Sequence, residues 1–168
     1  GDFNTDSETI IKHCKRAIEL DGRFCDAYVL YTSVLQGQIY NHELQDRREE
    51  NTKLFHQLAQ KAVDIDPQNP DAVSALSLSY SIKGEIEKRL ELAEKALELN
   101  PNHARSNYSY GQALTNSGRF KESLEYVLKA IELDPISKKG YEGFFPFLYI
   151  GLNDWDNAIN WCNTLNER

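Results

Sequence analysis

Methionine is missing from this 168-residue chain, cysteine occurs three times, proline five times, and no apolar run approaches membrane length. Each shortage removes a class of answer. Cys14, Cys25 and Cys162 are odd in number and widely spaced, which excludes a disulfide framework and fits a reducing compartment. Cys14 and Cys162 fall where a helix packs, so both read as core thiols. The longest apolar stretch, residues 144–150, contains Pro146 and is far short of the ~20 residues that cross a bilayer. No signal-peptide pattern opens the chain either. No membrane insertion and a cytoplasmic location are therefore expected. Basic residues are scarce: 19 Lys and Arg face 26 Asp and Glu, a net charge of −7 that repels phosphate backbones and excludes nucleic acid as a direct ligand. Strand-like alternation and Gly/Ser/Pro-rich linkers are also absent, which excludes β architectures and flexible multidomain arrangements.

Catalytic patterns are missing as well. There is no phosphate-cradling glycine loop, no dinucleotide-binding turn, no zinc spacing and no nucleophile elbow, so no catalytic residue, cofactor or metal is assigned. His13 and Cys14 are neighbours whose directions on a helix diverge by about 100° and cannot share an ion. His42, His56 and His103 have no ligand partner at a useful spacing. Asn107-Tyr108-Ser109 fits a glycosylation acceptor but lies inside a helical pattern, which makes the match accidental.

What the chain does have is a period. Ala62-Val63-Asp64-Ile65-Asp66-Pro67 recurs as Ala96-Leu97-Glu98-Leu99-Asn100-Pro101 and as Ala130-Ile131-Glu132-Leu133-Asp134-Pro135, with 34 residues between successive alanines. A fourth copy, Ala17-Ile18-Glu19-Leu20-Asp21-Gly22, stands 45 residues before the first of these. Between these phrases lie Val73, Leu76, Tyr80, Gly84 and Ile86, then Tyr110, Gly111, Leu114, Gly118, Phe120, Ser123 and Val127. Small residues let two helices approach, a turn glycine takes a backbone angle costly for other residues, and proline stops the helix. On these residues the chain resembles the tetratricopeptide-repeat family, whose unit is a helix-turn-helix that buries its apolar face only by stacking on neighbours. The resemblance implies an all-α fold, a right-handed solenoid of stacked antiparallel helix pairs, and a function in recognition.

The expected organisation is one array over residues 1–168: a half repeat at 5–23 supplying only a second helix, an extended repeat at 24–69, regular repeats at 70–103 and 104–137, and a terminal aromatic-rich repeat at 138–168. A start half-way through a unit, without an initiator methionine, reads as a segment of a longer protein. The extended repeat holds 11 extra residues, expected to lengthen two helices that meet at a tip over residues 41–46. Arg89 occupies a place where the family has a small residue, implying a looser or shifted second helix. Pro146 sits inside the first helix of the last repeat, where it forces a kink or a late start. The last repeat fits if one residue is inserted near Gly151 and Leu152.

In this family the concave wall is built by first helices. The resemblance places Arg105, Tyr108, Gln112, Thr115 and Asn116 there, together with Lys139, Glu142 and Tyr149 and, one repeat earlier, Ser74 and Leu78. Tyr, Gln and Asn side chains bond the backbone of an extended peptide, and Arg105 and Lys139 attract a carboxylate. The Lys/Asn/Arg set with which some relatives hold a chaperone's C-terminal carboxylate is not matched, since Val29, Ser33, Ala75, Arg105 and Ser109 stand at those places. The expected partner is a protein or peptide. The aromatic set Phe144, Phe145, Phe147, Trp155 and Trp161 is the expected face for self-association through the last hairpin. A narrower resemblance, to repeat arrays C-terminal to bacterial nucleotide cyclases and winged-helix regulators, implies the alternative of a regulatory segment that senses a small ligand or a partner.

Overall fold

The computed structural model describes residues 3–40 and 46–167, with side chains from Asp6 onward, and it is all-helical, with no strand among these residues. The chain forms two compact units, Gly1–Glu85 and Ile86–Arg168. The first contains α1 (Phe3–Leu20), α2 (Cys25–Tyr40), α3 (Arg48–Ile65) and α4 (Pro70–Ile82). The second contains α5 (Ile86–Leu99), α6 (Ala104–Asn116), α7 (Phe120–Leu133), α8 (Lys138–Glu142), α9 (Phe145–Gly151) and α10 (Trp155–Asn166). In repeat terms α2, α4, α6 and α8–α9 are first helices; α1, α3, α5, α7 and α10 are second helices.

The repeated phrase ends α1, α3 and α7 in the same way. The residue before the proline donates its N–H to the recurring alanine's carbonyl, Asp66 to Ala62 at 2.9 Å and Asp134 to Ala130 at 3.0 Å, as Asp21 does to Ala17. Its carboxylate or amide oxygen then turns back to a backbone N–H: Asp21 to Arg23, Asp66 to Gln68, Asn100 to Asn102 and Asp134 to Ser137, at 2.8 to 3.1 Å. An Asp or Asn at this point is thus a side-chain turn that stops the helix, while the proline denies it a continuing donor. Asn69 caps α4 by accepting from Asp71 N and Ala72 N, with Pro70 at the first turn where its missing N–H costs nothing.

Within the first unit, Tyr31, Leu35 and Ile39 of α2 pack with Phe55 of α3 and Cys14 of α1. The thiol of Cys14 is pushed above its ordinary pKa by this burial, as befits a core residue. In the second unit, α6 and α7 approach closely because Gly111 has no side chain: a Cβ there would lie 2.9 Å from Val127 Cγ2 and 3.2 Å from the Ser123 carbonyl. Ser123 Oγ donates to the Gly111 carbonyl at 2.6 Å across the same contact.

Gly84 (φ 78°) and Gly118 (φ 75°) close their hairpins in the left-handed region, as the pattern requires. The last hairpin makes the same turn at Asn153 (φ 58°), one residue later than the 34-residue period would place it, which locates the inserted residue. Pro146 gives the late start: α8 ends at Glu142 and α9 begins at Phe145 with the proline in its first turn. Arg89 does not disturb its own helix, since α5 runs unbroken from Ile86 to Leu99 with Arg89 only 3% exposed. α2 and α3 are lengthened, at 16 and 18 residues against 13 and 14 for α6 and α7, and α3 is preceded by a short 3-10 turn at Asp46 and Arg47. Residues 41–45 of the expected tip lie outside the described residues.

Candidate functional site

One face of α6 carries Arg105, Tyr108 and Gln112 and, three and four residues further on, Thr115 and Asn116, the spacing of a helix stripe. The structure gives these side chains different roles. Tyr108 stacks on Tyr141 with ring centroids 4.8 Å apart and meets Phe144 edge-on at 5.9 Å, joining the cluster built on Val127, Phe145 and Leu148. Thr115 Oγ1 is engaged with Ser123 Oγ at 2.8 Å. Gln112 is half-buried and Asn116 exposed, so from Tyr108 the α6 stripe continues as an amide ledge one turn long. Arg105, half-buried, lies near enough to Tyr141 for its charge to favour the phenolate, and Lys139 on α8 is exposed. Burial and the neighbouring Asp134 carboxylate outweigh Arg105, so the Tyr141 phenol stays above its ordinary pKa and is a neutral hydrogen-bonding group at pH 7.

Several expected wall residues are not on an open surface. Glu142 is 2% exposed, and its carboxylate lies 3.4 Å from Lys138 Nζ. Tyr149 packs at 6.1 Å from Phe145. Ser74 is 4% exposed, and Leu78 packs against the Tyr31, Leu35 and Phe55 cluster of the first unit. On the last first helix the break between α8 and α9 separates Glu142 from Tyr149, whereas Ser74 and Leu78 of α4 are taken up by packing inside the first unit.

The aromatic set is divided as well. Phe145 is 3% exposed and sits 4.7 Å from the Trp161 ring; with the half-buried Phe144 they form internal core. Phe147 and Trp155 remain open at 64% and 58%, and their exposed neighbours are Ile150 and Ile159. Of the five aromatics expected to form an association face, only Phe147 and Trp155 are thus strongly exposed.

Asn107, the glycosylation-like asparagine, is fully buried: its amide donates to the carbonyls of Pro101 at 3.0 Å and His103 at 2.9 Å, tying α6 to the turn before it. The sequence offered a signal for this role, a polar residue at a buried first-helix position just after the Asn-Pro turn. Among the described residues, no three His, Cys, Asp or Glu side chains come together as a metal site would need.

Such stacked hairpins, each presenting a first-helix stripe and closed by an Asp/Asn turn, define an α-helical repeat protein. Residues 70–103 and 92–125 each match a family model of the tetratricopeptide repeat. The chain therefore carries tetratricopeptide repeats over residues 70–125. No curated protein sequence matches it. Among solved structures, TTC0263, a thermophilic TPR protein of Thermus thermophilus, superposes with a TM-score of 0.63 at 17% identity, covering 92% of this chain and 71% of that one. MamA superposes at 0.57 and 16% identity over 98% and 89%. YrrB, described as a TPR protein with an unusual peptide-binding site, superposes at 0.55 and 20% identity over 98% and 78%. These likenesses show the tetratricopeptide solenoid fold. None of these relatives supports the narrower resemblance to arrays of nucleotide cyclases or winged-helix regulators.

Proposed function

We propose that the chain is a protein-interaction scaffold that holds an extended peptide segment on the α6 face. The observation that carries this reading is the amide ledge of Gln112 and Asn116, one turn along α6 from a Tyr108 ring held by Tyr141 and Phe144. Amides supply both a donor and an acceptor to a peptide backbone. The cations Arg105 and Lys139 flank it and select a peptide with a carboxylate. The peptide-binding description of YrrB, which shares the fold, is consistent with this use of the scaffold.

Panning a displayed random 12-mer library on the immobilised protein tests the proposal. Peptides with an acidic residue are expected to enrich on the wild type and to lose enrichment on Gln112→Ala/Asn116→Ala, whose helical circular dichroism stays unchanged. Equal enrichment on both proteins would remove the α6 face as the site.

A further inference from the structure

Each unit has a groove in which two second helices flank a first helix. In the second unit α5 and α7 flank α6, and the groove is small, about 310 Å³, because Tyr110 and Tyr126 meet edge-on across it at 4.8 Å. In the first unit α1 and α3 flank α2, and the cleft is about 650 Å³, within the range of ligand-binding pockets. Both grooves have a tyrosine as the seventh residue of the first helix, Tyr31 and Tyr110, so they are the same feature of the repeat at two sizes.

The added size comes from the insertion. Gln38 lies beyond the thirteenth residue of α2, where α6 has already ended, and Asp46, Arg47, Glu50 and Asn51 precede the stretch of α3 that corresponds to α7. All five line the cleft. The extra helical length therefore forms walls around a space that a regular repeat does not have.

The lining specifies an occupant. The floor is apolar, made of Tyr31 and Leu35 with Ile11 and Leu54 beside them. At the edge, Asn51 Nδ2 donates to Gln38 Oε1 at 3.2 Å. That bond orients the two amides so that one acceptor, Asn51 Oδ1, and one donor, Gln38 Nε2, remain, the complement of a peptide group. On the rim the exposed carboxylates of Glu8, Asp46 and Glu50 outnumber the cations Lys15 and Arg47.

We infer that this cleft is a second peptide site, separate from the α6 face, which takes a segment with a bulky apolar side chain flanked by lysine or arginine. The apolar side chain covers Tyr31 and Leu35, the adjacent peptide group bonds the Gln38–Asn51 pair, and the basic residue meets the rim carboxylates.

The same 12-mer library, panned on the wild type, is expected to yield an apolar-plus-basic class alongside the acidic one. A synthetic member of that class is then titrated by fluorescence anisotropy. Glu8→Lys/Glu50→Lys changes only exposed side chains, and we expect about tenfold weaker binding from the reversed rim charge. Gln38→Ala is expected to weaken binding as well, whereas Gln112→Ala/Asn116→Ala leaves it unchanged. The inference is overturned if no such class enriches, if rim reversal leaves the affinity intact, or if the α6 variant abolishes binding. The first and second outcomes leave the α6 proposal untouched, because that rests on the acidic class.

Discussion

Gly151 closes α9 directly over the ring of Phe120, and a Cβ built there overlaps three carbons of that ring. Gly151→Ala therefore forces either the Phe120 ring or the end of α9 to move. Inserting a methyl into a filled contact costs about 1–3 kcal/mol. Alanine's advantage over glycine in a helix is at most ~1 kcal/mol, and less at a last residue. The net effect is a loss of about 1–2 kcal/mol, or roughly 4–15 °C in melting temperature for a unit of this size. Both tryptophans, Trp155 and Trp161, lie in the second unit, so tryptophan fluorescence during urea unfolding follows that unit alone. The control is Phe120→Ala, which vacates the contact: in that background Gly151→Ala is expected to be neutral or stabilising, a coupling of about 2 kcal/mol. Equal destabilisation in both backgrounds, or a stabilised single variant, would refute the packing argument and with it the register of the last hairpin.

Two further outcomes follow from contacts already described. Tyr108→Ala loses two ring contacts worth about 0.5–1.5 kcal/mol each in addition to apolar burial, so a urea titration should show a loss of about 2–3 kcal/mol; a variant as stable as the wild type would contradict those contacts. The Asp134 carboxylate is held below its ordinary pKa, first by the Ser137 hydroxyl and then by the Ser137 N–H. A depressed folded-state pKa stabilises above the unfolded value near 4 and is lost as pH falls through the folded value. Asp134→Asn should thus unfold at lower urea than the wild type at pH 7, with the gap closing below about pH 4; a gap independent of pH would assign the difference to something other than the carboxylate charge.

The fold was legible because its period is carried by residues with steric tasks. Ala62, Ala96 and Ala130 had to be small, and Gly84 and Gly118 had to adopt positive φ, whatever surrounded them. Pro146 announced the break between α8 and α9, since a missing N–H is a local fact. The consequences of that break were not legible. Gly151 meets Phe120, 31 residues away in sequence, and Phe145 and Trp161 pack as core while Phe147 and Trp155 are open; such long-range contacts leave no local signal. Tyr108 shows the same limit. It was expected on an open wall, but the sequence did not reveal that Tyr141 and Phe144 would occupy its ring. Arg89 and Glu142 are charged residues that periodicity placed at a packing site and on an exposed wall respectively, and both are buried.

The claim on which the functional account rests is that the α6 face receives a peptide. Amide chemical-shift mapping of the isotope-labelled chain, titrated with a synthetic peptide from the acidic enriched class, tests it most directly. The account predicts that the largest shifts fall on residues 104–116 and on Lys139 and Tyr141, with the side-chain amides of Gln112 and Asn116 among them. Shifts confined to residues 6–82, or to the exposed patch at Phe147, Trp155 and Ile159, would contradict it.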